Sequence, residues 1–120
     1  MIKKTIKYVD YEGVEQKETF FFNVSKVEVA EMEVSKDGGF VRYVEKISEE
    51  KNAARLVELF KEVILIAYGE KSPDGKRFVK SKELSTAFSQ TEAYVELFME
   101  LSSDADKAAE FFNGVLPQKV

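Results

Sequence analysis

Ile2-Lys3-Lys4-Thr5-Ile6-Lys7-Tyr8-Val9-Asp10-Tyr11-Glu12-Gly13-Val14-Glu15-Gln16-Lys17-Glu18-Thr19-Phe20-Phe21-Phe22 is the stretch that decides the fold class of this chain. From Ile2 to Tyr11 the residues alternate, with Ile2, Ile6 and Tyr8 on one face and Val9 and Tyr11 on the other, the period-two pattern of a strand. Glu12-Gly13 supplies a turn, because Gly takes the positive φ of a tight hairpin at little cost. Gln16 to Phe22 then pairs back, placing Phe20 and Phe22 on one side and Phe21 on the other. A lone hairpin is marginal in water, so this Phe-rich end must pack on helices or pair with another chain. The expected fold is α+β, an N-terminal β-hairpin packed on a mainly helical body of about five helices. A single domain is expected, with the hairpin in residues 1–23, the helical body in 24–114 and a short tail in 115–120.

Beyond the hairpin, Ser25-Lys26-Val27-Glu28 reads as a capping box that opens a helix to about Ser35. The β-branched residues Val27, Val29 and Val34 leave a strand at Val27-Glu28-Val29 open as well. Asp37-Gly38-Gly39 breaks the element, and Phe40, Val41, Val44 and Ile47 outline a short helix. Ser48 caps the longest helix, whose stripe of Leu56, Leu59, Phe60, Val63, Ile64 and Ala67 is widened by Leu65 and Ile66. Such a helix is expected to be the central rod of the core, with Gly69 as its C-terminal cap. Ser72-Pro73-Asp74-Gly75 has the composition of a turn, and Arg77-Phe78-Val79 fits a short extended piece.

Ser81 opens a helix through Phe88. Ser89-Gln90-Thr91-Glu92 opens another, to about Leu101, with Tyr94, Val95, Phe98 and Leu101 inward and Glu92, Glu96 and Glu100 together on one side. Ser103 is the expected cap of the last helix, where Ala105, Ala108, Ala109 and Phe112 share a face before Gly114 and Pro117 end it.

Composition narrows the chemistry. The 120 residues are 44% hydrophobic and include ten Phe, enough for one core, and the 33% charged residues are dispersed. No apolar run approaches the roughly 18 residues of a membrane span, and the basic Met1-Ile2-Lys3-Lys4 is not followed by a signal-peptide core, so a cytosolic protein is expected. The absence of Cys and His removes disulfides, thiolate and imidazole nucleophiles or bases, and the commonest zinc ligands. No catalytic, cofactor-binding or metal-binding set is expected, and the chain does not read as an enzyme.

Net charge is −4, unevenly spread: residues 1–69 carry 11 basic and 13 acidic groups, 70–82 carry 5 and 2, and 83–120 carry 2 and 7. Gly69-Glu70-Lys71-Ser72 lacks the Gly before Lys that a phosphate-binding loop needs, and Asp74-Gly75 lacks the ligand pattern of a calcium loop. The basic segment Lys71, Lys76, Arg77, Lys80 and Lys82, with Phe78 interleaved, is the nucleic-acid signal of the chain, opposed by its acidic balance. The carboxylates Glu92, Glu96 and Glu100 form a solvated face in the plainest reading, or one that meets the basic loop of a neighbouring copy. Phe111 and Phe112 point about 100° apart on a helix, so one of them is free for an interface. The candidate protein-contact residues are Tyr68, Lys71, Lys76, Arg77, Phe78, Glu92, Glu96, Glu100, Phe111 and Phe112.

Ala67-Tyr68-Gly69-Glu70-Lys71-Ser72-Pro73-Asp74-Gly75-Lys76-Arg77-Phe78-Val79-Lys80-Ser81, then Phe88-Ser89-Gln90-Thr91-Glu92-Ala93-Tyr94 and Glu96-Leu97-Phe98-Met99-Glu100-Leu101, carry a family pattern. Phe21-Phe22-Asn23-Val24-Ser25-Lys26-Val27-Glu28 followed by Glu31-Met32-Glu33 also fits it. In these blocks the chain resembles the small tail assembly chaperones of long-tailed phages of Gram-positive bacteria. The resemblance implies a non-enzymatic, self-associating protein of the host cytoplasm that coats the tape measure protein until the tail tube polymerises around it. Its implied partners are the tape measure protein, further copies of itself and the tail tube protein. It further implies that a 120-residue chain is the short form where translational frameshifting makes a longer one. A small regulatory or nucleic-acid-binding phage protein using residues 71–82 is the alternative.

Overall fold

The computed structural model describes residues 1–35, Lys46, Glu49 and residues 53–117. Strands β1 (Ile2–Val9) and β2 (Glu15–Phe22) form the expected hairpin, antiparallel from Ile2 opposite Phe22 to Val9 opposite Glu15. Gly13 takes φ 80° in its turn, but Asp10 does most of the bonding there. Its Oδ1 accepts from the backbone N–H groups of Glu12 and Val14, each at 2.9 Å, and its Oδ2 accepts from the Gln16 side chain at 2.9 Å. An Asp side chain folded onto backbone two residues ahead is an Asx turn. The Gln16 bond, helped by the backbone bonds, holds the Asp10 carboxyl below its ordinary pKa.

Helix α1 (Lys26–Ser35) settles the helix-or-strand ambiguity in favour of helix. The reciprocal cap forms as expected: Ser25 N–H donates to Glu28 Oε1 at 2.9 Å, and Glu28 N–H donates to Ser25 Oγ at 3.1 Å. The Asp37-Gly38-Gly39 break, the short helix on Phe40, Val41, Val44 and Ile47, and the Ser48 cap lie outside the described residues. Helix α2 is described over Ala53–Ala67; Leu59, Val63, Ile64 and Ala67 are buried, while Leu56, Phe60, Leu65 and Ile66 pack partly buried around them.

The end of α2 departs from the expectation. No glycine cap follows it; the chain runs directly into strand β3 (Tyr68–Lys71), and Gly69 lies within that strand. A left-handed cap exists to satisfy the last helical carbonyls. Here those carbonyls already have donors: the Ser85 hydroxyl reaches Leu65 O at 2.8 Å, the Lys80 ammonium reaches Ile66 O at 2.8 Å, and Asn23 N–H reaches Ala67 O at 2.8 Å. Gly69 is required for another reason. A Cβ there would lie 2.5 Å from the Phe78 ring and 2.9 Å from the Val79 carbonyl oxygen.

Strand β3 pairs with β2, Phe21 opposite Gly69 and Phe22 opposite Tyr68, and strand β4 (Phe78–Val79) pairs with β3. The hairpin is thus half of a four-stranded antiparallel sheet of order β1-β2-β3-β4. Helices α3 (Lys82–Ser89), α4 (Glu92–Ser103) and α5 (Ala105–Val115) follow. Ser81 caps α3 as expected, accepting from Leu84 N–H at 3.0 Å. The other two caps each sit later than expected. Thr91, not Ser89, accepts at the start of α4, and Asp104, not Ser103, accepts from Asp106 and Lys107 at the start of α5.

The buried faces also differ from the expected ones: Ala93, Leu97 and Leu101 are buried in α4 while Val95 is exposed, and Ala108, Phe111 and Val115 are buried in α5 while Ala105 and Ala109 are exposed. Helix α5 also runs through Gly114 to Val115. The core lies between these helices and one face of the sheet. Phe22 is at its centre, with ring centroids 5.3 Å from Phe111 and 5.8 Å from Phe88, and Phe88 stacks on Tyr68 at 4.2 Å. Among the described residues no helix is long and apolar enough to cross a membrane.

Candidate functional site

The alternation of β1 and β2 sends Lys4, Ile6, Tyr8, Phe20 and Phe22 toward the helices and Lys3, Thr5, Lys7, Lys17, Thr19 and Phe21 to the opposite face. On that outer face Lys7 stands directly opposite Lys17, Lys3 opposite Phe21, and Thr5 opposite Thr19 with their hydroxyls 2.9 Å apart. Lys71 joins it from β3, its ammonium 5.1 Å from the centre of the Phe21 ring. Phe78, paired with Lys71, lays its ring over Gly69. The lysines of this face are exposed, and the two rings are partly buried. None of Lys3, Lys7 and Lys17 has an ion-pair partner among the described residues. These three lysines do not stand out in the sequence alone: a two-residue Glu12-Gly13 turn would put Lys7 opposite Glu18, and only the longer Asp10–Val14 turn gives the register that opposes Lys7 to Lys17.

The basic turn between β3 and β4 is held by its own short side chains. Ser72 is buried and donates its hydroxyl to Asp74 Oδ1 at 2.6 Å, and the backbone N–H of Lys76 donates to the same oxygen at 3.0 Å. Arg77 N–H donates to Ser72 Oγ at 3.0 Å. The Ser72 bond, with that from Lys76, keeps the Asp74 carboxyl below its usual range. Lys76 and Arg77 extend from this frame into solvent. Lys80 does not join them: its ammonium binds both oxygens of Glu28, at 2.9 and 2.7 Å, and caps α2.

The acidic row of α4 is less open than a solvated face. Helix α4 packs along β1. Glu100 lies 3.1 Å from the Lys4 ammonium and 3.5 Å from that of Lys107. Glu92 accepts from the Tyr11 hydroxyl, and this bond raises the Tyr11 pKa. Glu96 is the exposed member, lining an open groove with Lys7, Tyr8 and Lys17. On the hairpin the Tyr8 hydroxyl donates to Glu18, and that bond, ahead of burial, pushes its pKa up to about 12.

The basic turn joins the strand at one edge of the sheet, and the acidic row lies along the strand at the other edge, so the fold does not bring them together within one chain. Phe111 is buried, and Phe112 is the partly exposed member of its pair, stacked on Phe60 at 5.5 Å. Tyr68 is partly buried, and that burial raises its pKa.

No group of three or more carboxylates that could hold a metal ion occurs among the described residues. Fold and surface together define a small α+β protein whose distinctive features are lysines, carboxylates and aromatic rings at its surface. The whole chain, residues 1–120, matches the family model of the phage tail assembly chaperones, and it belongs to that family. Neither among curated proteins nor among solved structures does a match to the chain occur.

Proposed function

We propose that this protein is a non-enzymatic chaperone that self-associates and binds the tape measure protein in the host cytoplasm, keeping it soluble while the tail tube assembles. The observation that carries this reading is membership of the tail assembly chaperone family along the full length of the chain. Two structural features are compatible with self-association. Lys76 and Arg77 project near one edge of the sheet and Glu96 lies near the other, the placement that a head-to-tail contact between copies requires. Strand β1 is also an outer strand, with no further strand paired beyond it among the described residues.

Co-expression with the tape measure protein of the same phage tests the proposal. The expected result is soluble tape measure protein that co-purifies with this chain. Tape measure protein that stays insoluble and does not co-purify would overturn it. The nucleic-acid alternative loses one of its cations, since Lys80 is engaged by Glu28 and by the end of α2.

A further inference from the structure

We propose that the outer face of the sheet is a docking surface for an acidic, amphipathic segment of another protein, with Lys3, Lys7, Lys17 and Lys71 taking its carboxylates and Phe21 and Phe78 its apolar side chains. The inference rests on this surface and not on the tape measure reading. Its first support is a cost that the fold does not recover. Like charges directly opposite each other on one sheet face are destabilising, yet Lys7 and Lys17 occupy such a pair. On the opposite face Lys4 finds Glu100, whereas Lys3, Lys7 and Lys17 have no ion-pair partner among the described residues. Glu15 on the same face and Glu96 across the adjoining groove lie near this pair without reaching ion-pair distance, so the opposition stays unrelieved and fits a surface completed by something else.

The extent and chemistry of the face select the occupant. Lys3 and Lys7 are four residues apart on one strand, about 13 Å. One small anion cannot engage both, but a chain segment with several carboxylates can. Single-stranded nucleic acid would need open ring faces for base stacking. Here the Lys71 ammonium stands over the Phe21 ring at 5.1 Å and that of Lys80 over Phe78 at 5.9 Å, leaving ring edges suited to methylene and methyl groups. The net charge of −4 also disfavours a phosphate backbone.

Fluorescence anisotropy of the full chain tests this with three labelled probes: a peptide with Glu and Leu at helical spacing, the same peptide with Gln for Glu, and a single-stranded oligothymidylate. The Glu/Leu peptide is expected to bind best. Lys7→Glu is expected to weaken that binding about tenfold or more, because a like charge now faces the peptide. The same substitution is expected to raise the thermal midpoint, because it turns the opposition with Lys17 into an opposite-charge pair. Lys61→Glu, on the exposed side of α2, leaves peptide binding unchanged.

Should Lys7→Glu fail to fold, Lys3→Glu is read in its place and carries the same expected loss. Equal binding of the Gln peptide, binding indifferent to these lysine substitutions, tighter lysine-dependent binding of the oligothymidylate, or no binding of any probe would each overturn the proposal.

Discussion

The Lys80 ammonium lies 2.7 Å from Glu28 Oε2 and closes a contact between residues 52 positions apart. Its third bond, to Ile66 O, brings the start of α1, the exit of β4 and the end of α2 to one point. Burial alone would raise the Glu28 carboxyl, but hydrogen bonds from Lys80 and Ser25 outweigh it and set its pKa below the ordinary value. A carboxyl with a depressed folded pKa adds stability above its unfolded value, near 4.3, and loses it as pH falls through the folded one. Glu28→Gln keeps one acceptor oxygen for the Ser25 N–H, removes the charge and turns one of the two oxygens that Lys80 contacts into an amide NH2. It is expected to cost about 1–2 kcal/mol at neutral pH, with the gap to wild type closing in acid, as followed by urea unfolding across pH. A gap independent of pH would mean that the ion pair contributes nothing.

Gly69→Ala tests the close approach of β3 and β4. The new methyl would overlap the Phe78 ring and the Val79 carbonyl oxygen. Overpacking of this kind costs about 1–3 kcal/mol. Phe78→Leu in the same chain is expected to recover only part of the loss, since the backbone oxygen remains at 2.9 Å. Thermal midpoints of the single and double variants measure both effects.

How far the sequence could be read depended on whether the signal was local. The N-terminal hairpin, the Ser25/Glu28 capping box and the apolar stripe of α2 each follow from periodicity or a four-residue pattern, and all three are present. Strand β3 was not legible, because Tyr68-Gly69-Glu70-Lys71 is too short for a period and owes its extended form to pairing with Phe21 and Phe22 far earlier in the chain. The donors that replace a helix cap at α2, from Asn23, Lys80 and Ser85, are likewise distant in sequence. In α4 and α5, Ser89 and Ser103 lie just ahead of the true caps Thr91 and Asp104; separately, the buried arc of each helix is chosen by its packing partners, β1 among them for α4, which leaves Val95, Ala105 and Ala109 exposed. At the candidate site, Lys76 and Arg77 stood out as a charge cluster, whereas the Lys7/Lys17 opposition exists only once the hairpin register is known.

Phe22 and Phe21, adjacent in β2, are expected to differ sharply when truncated. Phe22 is fully buried among Tyr68, Phe88 and Phe111. Phe22→Ala therefore leaves a cavity and costs about 3–5 kcal/mol. Phe21 lies on the outer face under Lys71, and Phe21→Ala is expected to cost about 1 kcal/mol. Equal losses in chemical denaturation would contradict this division of the sheet into an inner and an outer face.

Charge reversal at Lys76 and Arg77 separates assembly from folding. The turn that carries them is bonded through their backbone N–H groups to Asp74 and Ser72, so the side chains can change without disturbing it. Lys76→Glu with Arg77→Glu is expected to leave the helical circular dichroism and thermal midpoint of the monomer unchanged, since exposed substitutions away from specific contacts lie within about 0.5 kcal/mol. If the turn meets carboxylates of a neighbouring copy, the double variant gives smaller assemblies in light scattering. Wild-type assemblies should then shrink in the same direction as salt is raised, because exposed charge pairs are screened. Assemblies of unchanged size in both experiments would make this turn a solvated loop and move the self-association surface elsewhere, to the β1 edge first.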